Sequence, residues 1–302
     1  MLHSEFMELP FYIMFYLIVF FYGICIGSFL NVVIFRLPKN ESLVKKSSHC
    51  MTCGTKIRAR DNIPVLSWLL LKGKCRNCHE PISKRYPIVE SLNCIIYLIT
   101  FTVLDFNLQS IIYCFFFSAL ICIAFIDWDT MEMDLKLLLF IAILALPDFI
   151  ISIIFLISPE KFQNLSNFSS YFLTENAVSL SSHVIGLVCI SLPFFLIGEI
   201  SMPIIEKKFG ERFRAIELGD TVLMACGGFL IGWKAVIVSA FLGIIIAGIC
   251  GMILKMRDGD SKFAFGPYLA IGLFLGTLFG NQILDWYIAW ITYNPYEITS
   301  LA

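Results

Sequence analysis

Polar and apolar positions alternate along this chain on the scale of whole helices. Apolar runs of about 20 residues, the length needed to cross a bilayer, recur near 11–35, 88–104, 109–126, 135–157, 182–205, 216–232, 234–254 and 265–290. Runs that are apolar on every face predict helices surrounded by lipid or by other helices, not amphipathic helices on a soluble core. The pattern therefore predicts an all-α polytopic membrane protein with about eight transmembrane helices. One long polar interval separates the first two runs. It divides the chain into a first transmembrane helix over 1–35, a loop domain over 36–87, and seven further helices over 88–302. Residues 158–182 read as an external loop.

Composition agrees, with 58% hydrophobic and 15% charged residues, against roughly 25% charged in soluble domains. That leaves no room for a sizeable soluble enzyme. The net charge of −1 implies nothing about partners, and nothing implies a nucleic acid. The placement of the cations is informative, because 20 of the 22 Lys and Arg fall in alternate loops, twelve of them within 36–87. By the positive-inside rule those loops are cytoplasmic and both termini face outward. The first 35 residues carry no Lys or Arg and no small-residue cleavage site, so they read as an uncleaved span.

Eleven cysteines fall into two groups. Seven lie singly in or beside apolar runs and read as small core residues. The other four form CMTC, with Cys50 and Cys53, and CRNC, with Cys75 and Cys78. Two such pairs 21 residues apart on a reducing face predict one tetrahedral zinc site. Four sulfurs leave no open coordination position, so the metal's role would be structural. CRNCH also matches the haem-attachment pattern, but that chemistry belongs on an exported face and leaves CMTC unexplained.

Acids gather where apolar runs meet water. AFIDWDTMEMD (124–134) places Asp127, Asp129, Glu132 and Asp134 within eight positions, and ELGD places Glu217 and Asp220 at the start of another run. Asp129 and Asp285 read as solvated charges. Asp127 and Asp220 stand out because each lies near the cytoplasmic end of its span. Two carboxylates sharing a site cannot both ionise cheaply, so such a pair supplies a general base and a general acid, the chemistry of an aspartyl protease. Gly219 beside Asp220 allows close backbone approach.

These residues resemble the type IV prepilin peptidases, membrane aspartyl proteases of the GxGD class. The resemblance runs through GICIGSFLNVVIFRLPKNES (23–42), SHCMTCGTKI (48–57), DNIPVLSWLLLKGKCRNCHEPISKRYPIVE (61–90), FIDWDTME, ELGDTVLMACGGFLIGW and FGPYLAIG (265–272). It implies that Asp127 and Asp220 are the catalytic pair and that Cys50, Cys53, Cys75 and Cys78 bind zinc. It implies that 88–302 is a peptidase domain in a bacterial inner membrane, cleaving the basic leaders of prepilins or pseudopilins on the cytoplasmic side. It also implies methylation of the new N-terminus with S-adenosylmethionine. Glu90, at the boundary, is read as an acid that attracts a basic leader or as a solvated charge.

Two departures from the family pattern carry expectations. Glu217 stands where the family has glycine, and on a helix continued through 217–220 it would crowd Asp220. Asp134 stands where the family has proline, and on a helix continued through 127–134 it would lie on the face of Asp127. These departures motivate a second reading, a catalytically altered, zinc-stabilised scaffold of a pilus or secretion system. A transporter is a third, less suited because the acids sit at one side of the spans and not at the midplane.

Overall fold

A computed structural model describes residues 2–45, 47–157, 178–210, 214–258 and 264–292. Residues 158–177 of the expected external loop lie outside them, and its last three residues, 180–182, are helical instead. Ten helices follow in order among the described residues: α1 Leu2–Arg36, α2 Leu66–Leu70, α3 Arg85–Leu104, α4 Leu108–Thr130, α5 Leu135–Ile157, α6 Leu180–Cys189, α7 Ser191–Phe209, α8 Leu218–Ile231, α9 Trp233–Asp258 and α10 Gly266–Thr292. No strand occurs among the described residues, only two isolated β-bridges.

Seven stretches are long and apolar enough to span a membrane, α6 and α7 together forming one of them. The eighth, α8, has 14 residues. At 1.5 Å per residue it extends about 21 Å, short of the roughly 30 Å hydrocarbon core. The expected single span over 182–205 is broken at Ile190. Pro193 explains the break, since it has no N–H for the carbonyl of Cys189 and its ring clashes there.

The described residues form two compact units that divide within α5, near Leu137. In the first, α1, α3 and α4 pack on one another. Glycine permits the close approach of α1 and α3: a Cβ on Gly27 would lie 2.7 Å from the Glu90 Cα, and one on Gly23 would lie 2.8 Å from the Cys94 Cα. A polar chain threads the same contact. The Asn93 amide donates to the Gly23 carbonyl at 2.7 Å, Ser118 donates to Asn93 Oδ1 at 2.8 Å, and Tyr97 lies 2.9 Å from Ser118 Oγ. Such interhelical bonds average about 0.6 kcal/mol in a membrane. Their geometric specificity sets the register of three otherwise oily surfaces.

In the second unit α8 packs against α6, α7, α9 and α10, and α9 runs along α10. Gly186 of α6 meets Gly228 of α8, where a Cβ on either would come within 2.2 Å of the other's carbonyl oxygen. His183 of α6 is fully buried, and its Nδ1 lies 2.6 Å from the Phe229 carbonyl, one of the last four of α8 that lack an intrahelical donor. Its other ring nitrogen lies 3.6 Å from Asp148 of α5. This histidine therefore caps one helix while bridging two others.

Gly228→Ala is expected to destabilise the protein by about 1–3 kcal/mol, because its new methyl meets the Gly186 backbone. Gly248→Ala, with nothing within 4 Å of its Cβ, is expected to leave stability unchanged or raise it. Thermal unfolding of the two variants in detergent checks the contrast.

Candidate active site and metal centre

The tetracysteine segment folds as two matching turns. In the first, the Gly54 N–H donates to the Cys50 carbonyl at 2.9 Å and the Cys50 N–H to the Thr55 carbonyl at 3.0 Å. In the second, the His79 N–H donates to the Cys75 carbonyl at 3.0 Å and the Cys75 N–H to the Glu80 carbonyl at 2.9 Å. The residue after each second cysteine is left-handed, Gly54 at φ 67° and His79 at φ 58°. The histidine of CRNCH thus occupies the turn position that glycine fills in CMTCG.

The turns bring all four Sγ atoms within 4.8 Å of one another. Zinc–sulfur bonds of about 2.3 Å in a tetrahedron require sulfurs about 3.8 Å apart, and Cys50 Sγ lies 3.8 Å from Cys78 Sγ. The four thiols can hold one zinc ion. Crowding sets them apart chemically. Hydrogen bonds from the Thr55 hydroxyl and backbone bring Cys53 down to about 6. Backbone N–H groups of Cys78 and Asn77 lower Cys75. The Glu80 backbone favours the Cys78 thiolate, but desolvation and the three neighbouring sulfurs override it and push that thiol up to about 12. A divalent cation would relieve the repulsion that keeps this sulfur protonated.

Around the cysteines the loop is tied by Arg76, whose guanidinium forks onto Asp61 with contacts of 2.6–3.0 Å. Glu90 holds the loop from below. It is 6% exposed, and its carboxylate accepts the Val65 N–H at 2.6 Å. Glu90 is therefore neither a solvated charge nor an open attractor for a basic peptide. Val65 itself is strained at φ 59° and ψ −52°, with Leu66 N–H 2.6 Å from the Pro64 carbonyl. This is the rarer, strained form of the γ-turn on a β-branched residue, a conformation costing about 1–3 kcal/mol.

The candidate catalytic acids occupy helix ends, one in each unit. Asp127, 4% exposed, lies in the last turn of α4. The helix stops just beyond it, because Met131 turns left-handed at φ 55° and returns its N–H to the Asp127 carbonyl at 2.8 Å. The helix does not run on to Asp134, contrary to expectation. Asp134 instead accepts the Lys136 N–H at 2.7 Å at the start of α5. Asp129, expected to be solvated, pairs with Arg85 at 2.5 Å and is still 44% exposed. Asp285, likewise expected to be solvated, pairs with Lys234 at 2.6 Å.

Asp220, also 4% exposed, is the third residue of α8. Glu217 has extended backbone and is the N-cap, so it does not extend the helix beside Asp220. The two residues follow the reciprocal pattern of a capping box, in which Asp220 accepts the Glu217 N–H at 3.3 Å. An anion in a first turn is further favoured by the helix dipole. Sequence reasoning misses Asp148 and His183 entirely. Their signal is present, since an ionisable residue inside an apolar run such as LPDF is an exception that calls for a partner.

Comparison with known proteins adds the family. Residues 21–104 match the family model described as Bacterial Peptidase A24 N-terminal domain. The chain is 31% identical to a prepilin leader peptidase/N-methyltransferase of Aeromonas hydrophila, covering 91% of this chain and 94% of the relative. It is 30% identical to one of Pectobacterium carotovorum, covering 85% and 90%. It is 29% identical to a type 4 prepilin-like proteins leader peptide-processing enzyme of Escherichia coli, covering 83% and 88%. No solved structure matches.

His79→Gly is expected to keep about one zinc per chain, since glycine suits the left-handed turn. Cys78→Ala is expected to lose most of the metal. Elemental analysis of purified protein checks both, and loss of zinc in His79→Gly would mean that the imidazole itself binds the metal.

Proposed function

The chain belongs to the prepilin leader peptidase/N-methyltransferase family, and from that premise we propose that it is an intramembrane aspartic endopeptidase acting on type IV prepilins or pseudopilins. It removes their basic leaders at the cytoplasmic face of a bacterial inner membrane and then methylates the new N-terminus. The observation that supports the peptidase reading best is the burial of Asp127 and Asp220, each 4% exposed at the end of an apolar helix. In this reading the spans alternate in direction, so that both helix ends lie on the side of the basic loops.

In this reading one aspartate is ionised and the other protonated. The ionised carboxylate takes a proton from water as the water oxygen attacks the scissile carbonyl carbon. The protonated carboxyl donates a hydrogen bond, then its proton, to the carbonyl oxygen, which carries the developing charge. As the tetrahedral centre collapses, the C–N bond breaks, the proton held by the first aspartate passes to the leaving amine, and one hydroxyl of the centre returns its proton to the second aspartate as the C=O bond re-forms. The products are a leader ending in a carboxylate and a mature chain with a free amine. Which aspartate begins as base belongs to the pair and not to either residue.

That amine is the acceptor for the second activity. S-adenosylmethionine would supply the methyl group, and no residue is assigned to it: the described residues contain no strand-to-helix turn of the kind that carries a nucleotide loop. Zinc, held by Cys50, Cys53, Cys75 and Cys78, would fix the fold of the loop between α1 and α3, with no part in bond cleavage.

Asp127→Asn and Asp220→Asn are each expected to insert, load zinc and lose prepilin cleavage by at least about 100-fold. Cleavage of a prepilin in proteoliposomes, followed by mass, checks this. Wild-type rates in either variant would remove that residue from the chemistry.

A further inference from the structure

The loop that carries the cysteines also presents an apolar face that is left exposed among the described residues. Ile63, Leu66, Leu69 and Leu70 are 47%, 48%, 58% and 71% exposed, in and beside the short helix α2. Cations surround this face: Arg58, Arg60, Lys72 and Lys74 are all exposed. Next to Ile63, a recess of about 580 Å³ is lined by Ser48, Lys56, Ile57, Arg58, Ala59 and Asn62.

Its depth is fixed by the bond from Val65 to Glu90. Glu90 is five residues into α3, about 7.5 Å along the helix axis. It also packs on Gly27, nine residues before the end of α1, about 13 Å from that end. The polar layers flanking a hydrocarbon core are each roughly 5–7 Å thick. The start of α2 is therefore held back from the ends of both helices, and where those ends project into water beyond the bilayer this would put it near the level of the headgroups.

We propose that α2 and Ile63 form an interfacial foot that inserts its leucines at the headgroup–acyl boundary, while the Lys56–Arg58 recess and the flanking cations hold anionic phospholipid headgroups. The chemistry is that of a monotopic amphipathic segment, in which apolar burial and attraction to anionic lipid act together. Charge selects this occupant over a peptide substrate. Residues 36–87 carry twelve Lys and Arg against three acids, a field that repels a basic leader and attracts lipid phosphate. The proposal does not depend on the peptidase reading.

The test replaces Leu69 and Leu70, separately, with a benzophenone amino acid in the full-length, zinc-loaded protein in nanodiscs containing phosphatidylglycerol. Asn77, exposed beside the cysteines, serves as the control position. After irradiation, lipid adducts at 69 or 70 are expected to exceed those at 77 by about fivefold or more, and to fall at least about twofold when phosphatidylcholine replaces phosphatidylglycerol. Lipid adducts at the level of position 77, in variants that retain about one zinc per chain, overturn the proposal. So do adducts that form on a second copy of the chain, or on added prepilin in place of lipid. The readout involves no cleavage, so a protein without peptidase activity tests the proposal equally well.

Discussion

A polar group inside a bilayer has no water to fall back on, and each one left without a partner costs about several kcal/mol. That constraint organises this molecule. The Asn93–Ser118–Tyr97 chain fixes α1, α3 and α4 against one another. His183 satisfies a terminal carbonyl of α8 and stands against Asp148. Glycines at the crossings, Gly27 against Glu90 and Gly186 against Gly228, bring the backbones close enough for these bonds to form. Polar side chains set register here, and close backbone packing supplies the contact area.

The same constraint couples the loop to the membrane helices. Glu90 is nearly buried, and its carboxylate is satisfied by the N–H of a strained residue, Val65. Each stabilises what the other would find costly: the acid gains a donor, and the γ-turn is held. Because Val65 opens α2, the bond ties the tetracysteine turns to the base of α3. The loop is thus fastened to the base of α3 by this carboxylate at its foot, while the four cysteines at its tip can hold one zinc ion.

Much of this is legible in the sequence, and the rest is hidden for physical reasons. Apolar runs mark the spans because lipid admits little else, and paired CxxC spacing marks the cluster because its turns are local. The break at Ile190 is readable in principle from Pro193. The roles of the boundary acids are not. Glu217, Asp134 and Asp129 all read as charges at a water boundary, yet the structure makes the first an N-cap, the second a cap for α5 and the third a partner for Arg85. Those distinctions depend on where a helix begins within two residues and on a cation 44 positions away. The departures at Glu217 and Asp134, which suggest a disabled enzyme, become ordinary helix-end chemistry beside intact candidate acids. The partners of Glu90 and His183 are beyond reach for a similar reason, since they come from distant parts of the chain.

Burial of two carboxylates is meaningful for catalysis only if they titrate as a linked pair. The most direct test is the pH dependence of kcat/KM for prepilin cleavage by the zinc-loaded protein in nanodiscs. A pair with one proton between them predicts a bell, its acid limb marking loss of the base and its alkaline limb loss of the acid. A rate that climbs with pH to a plateau and never falls, as for a lone base or an activated thiol, would contradict the account.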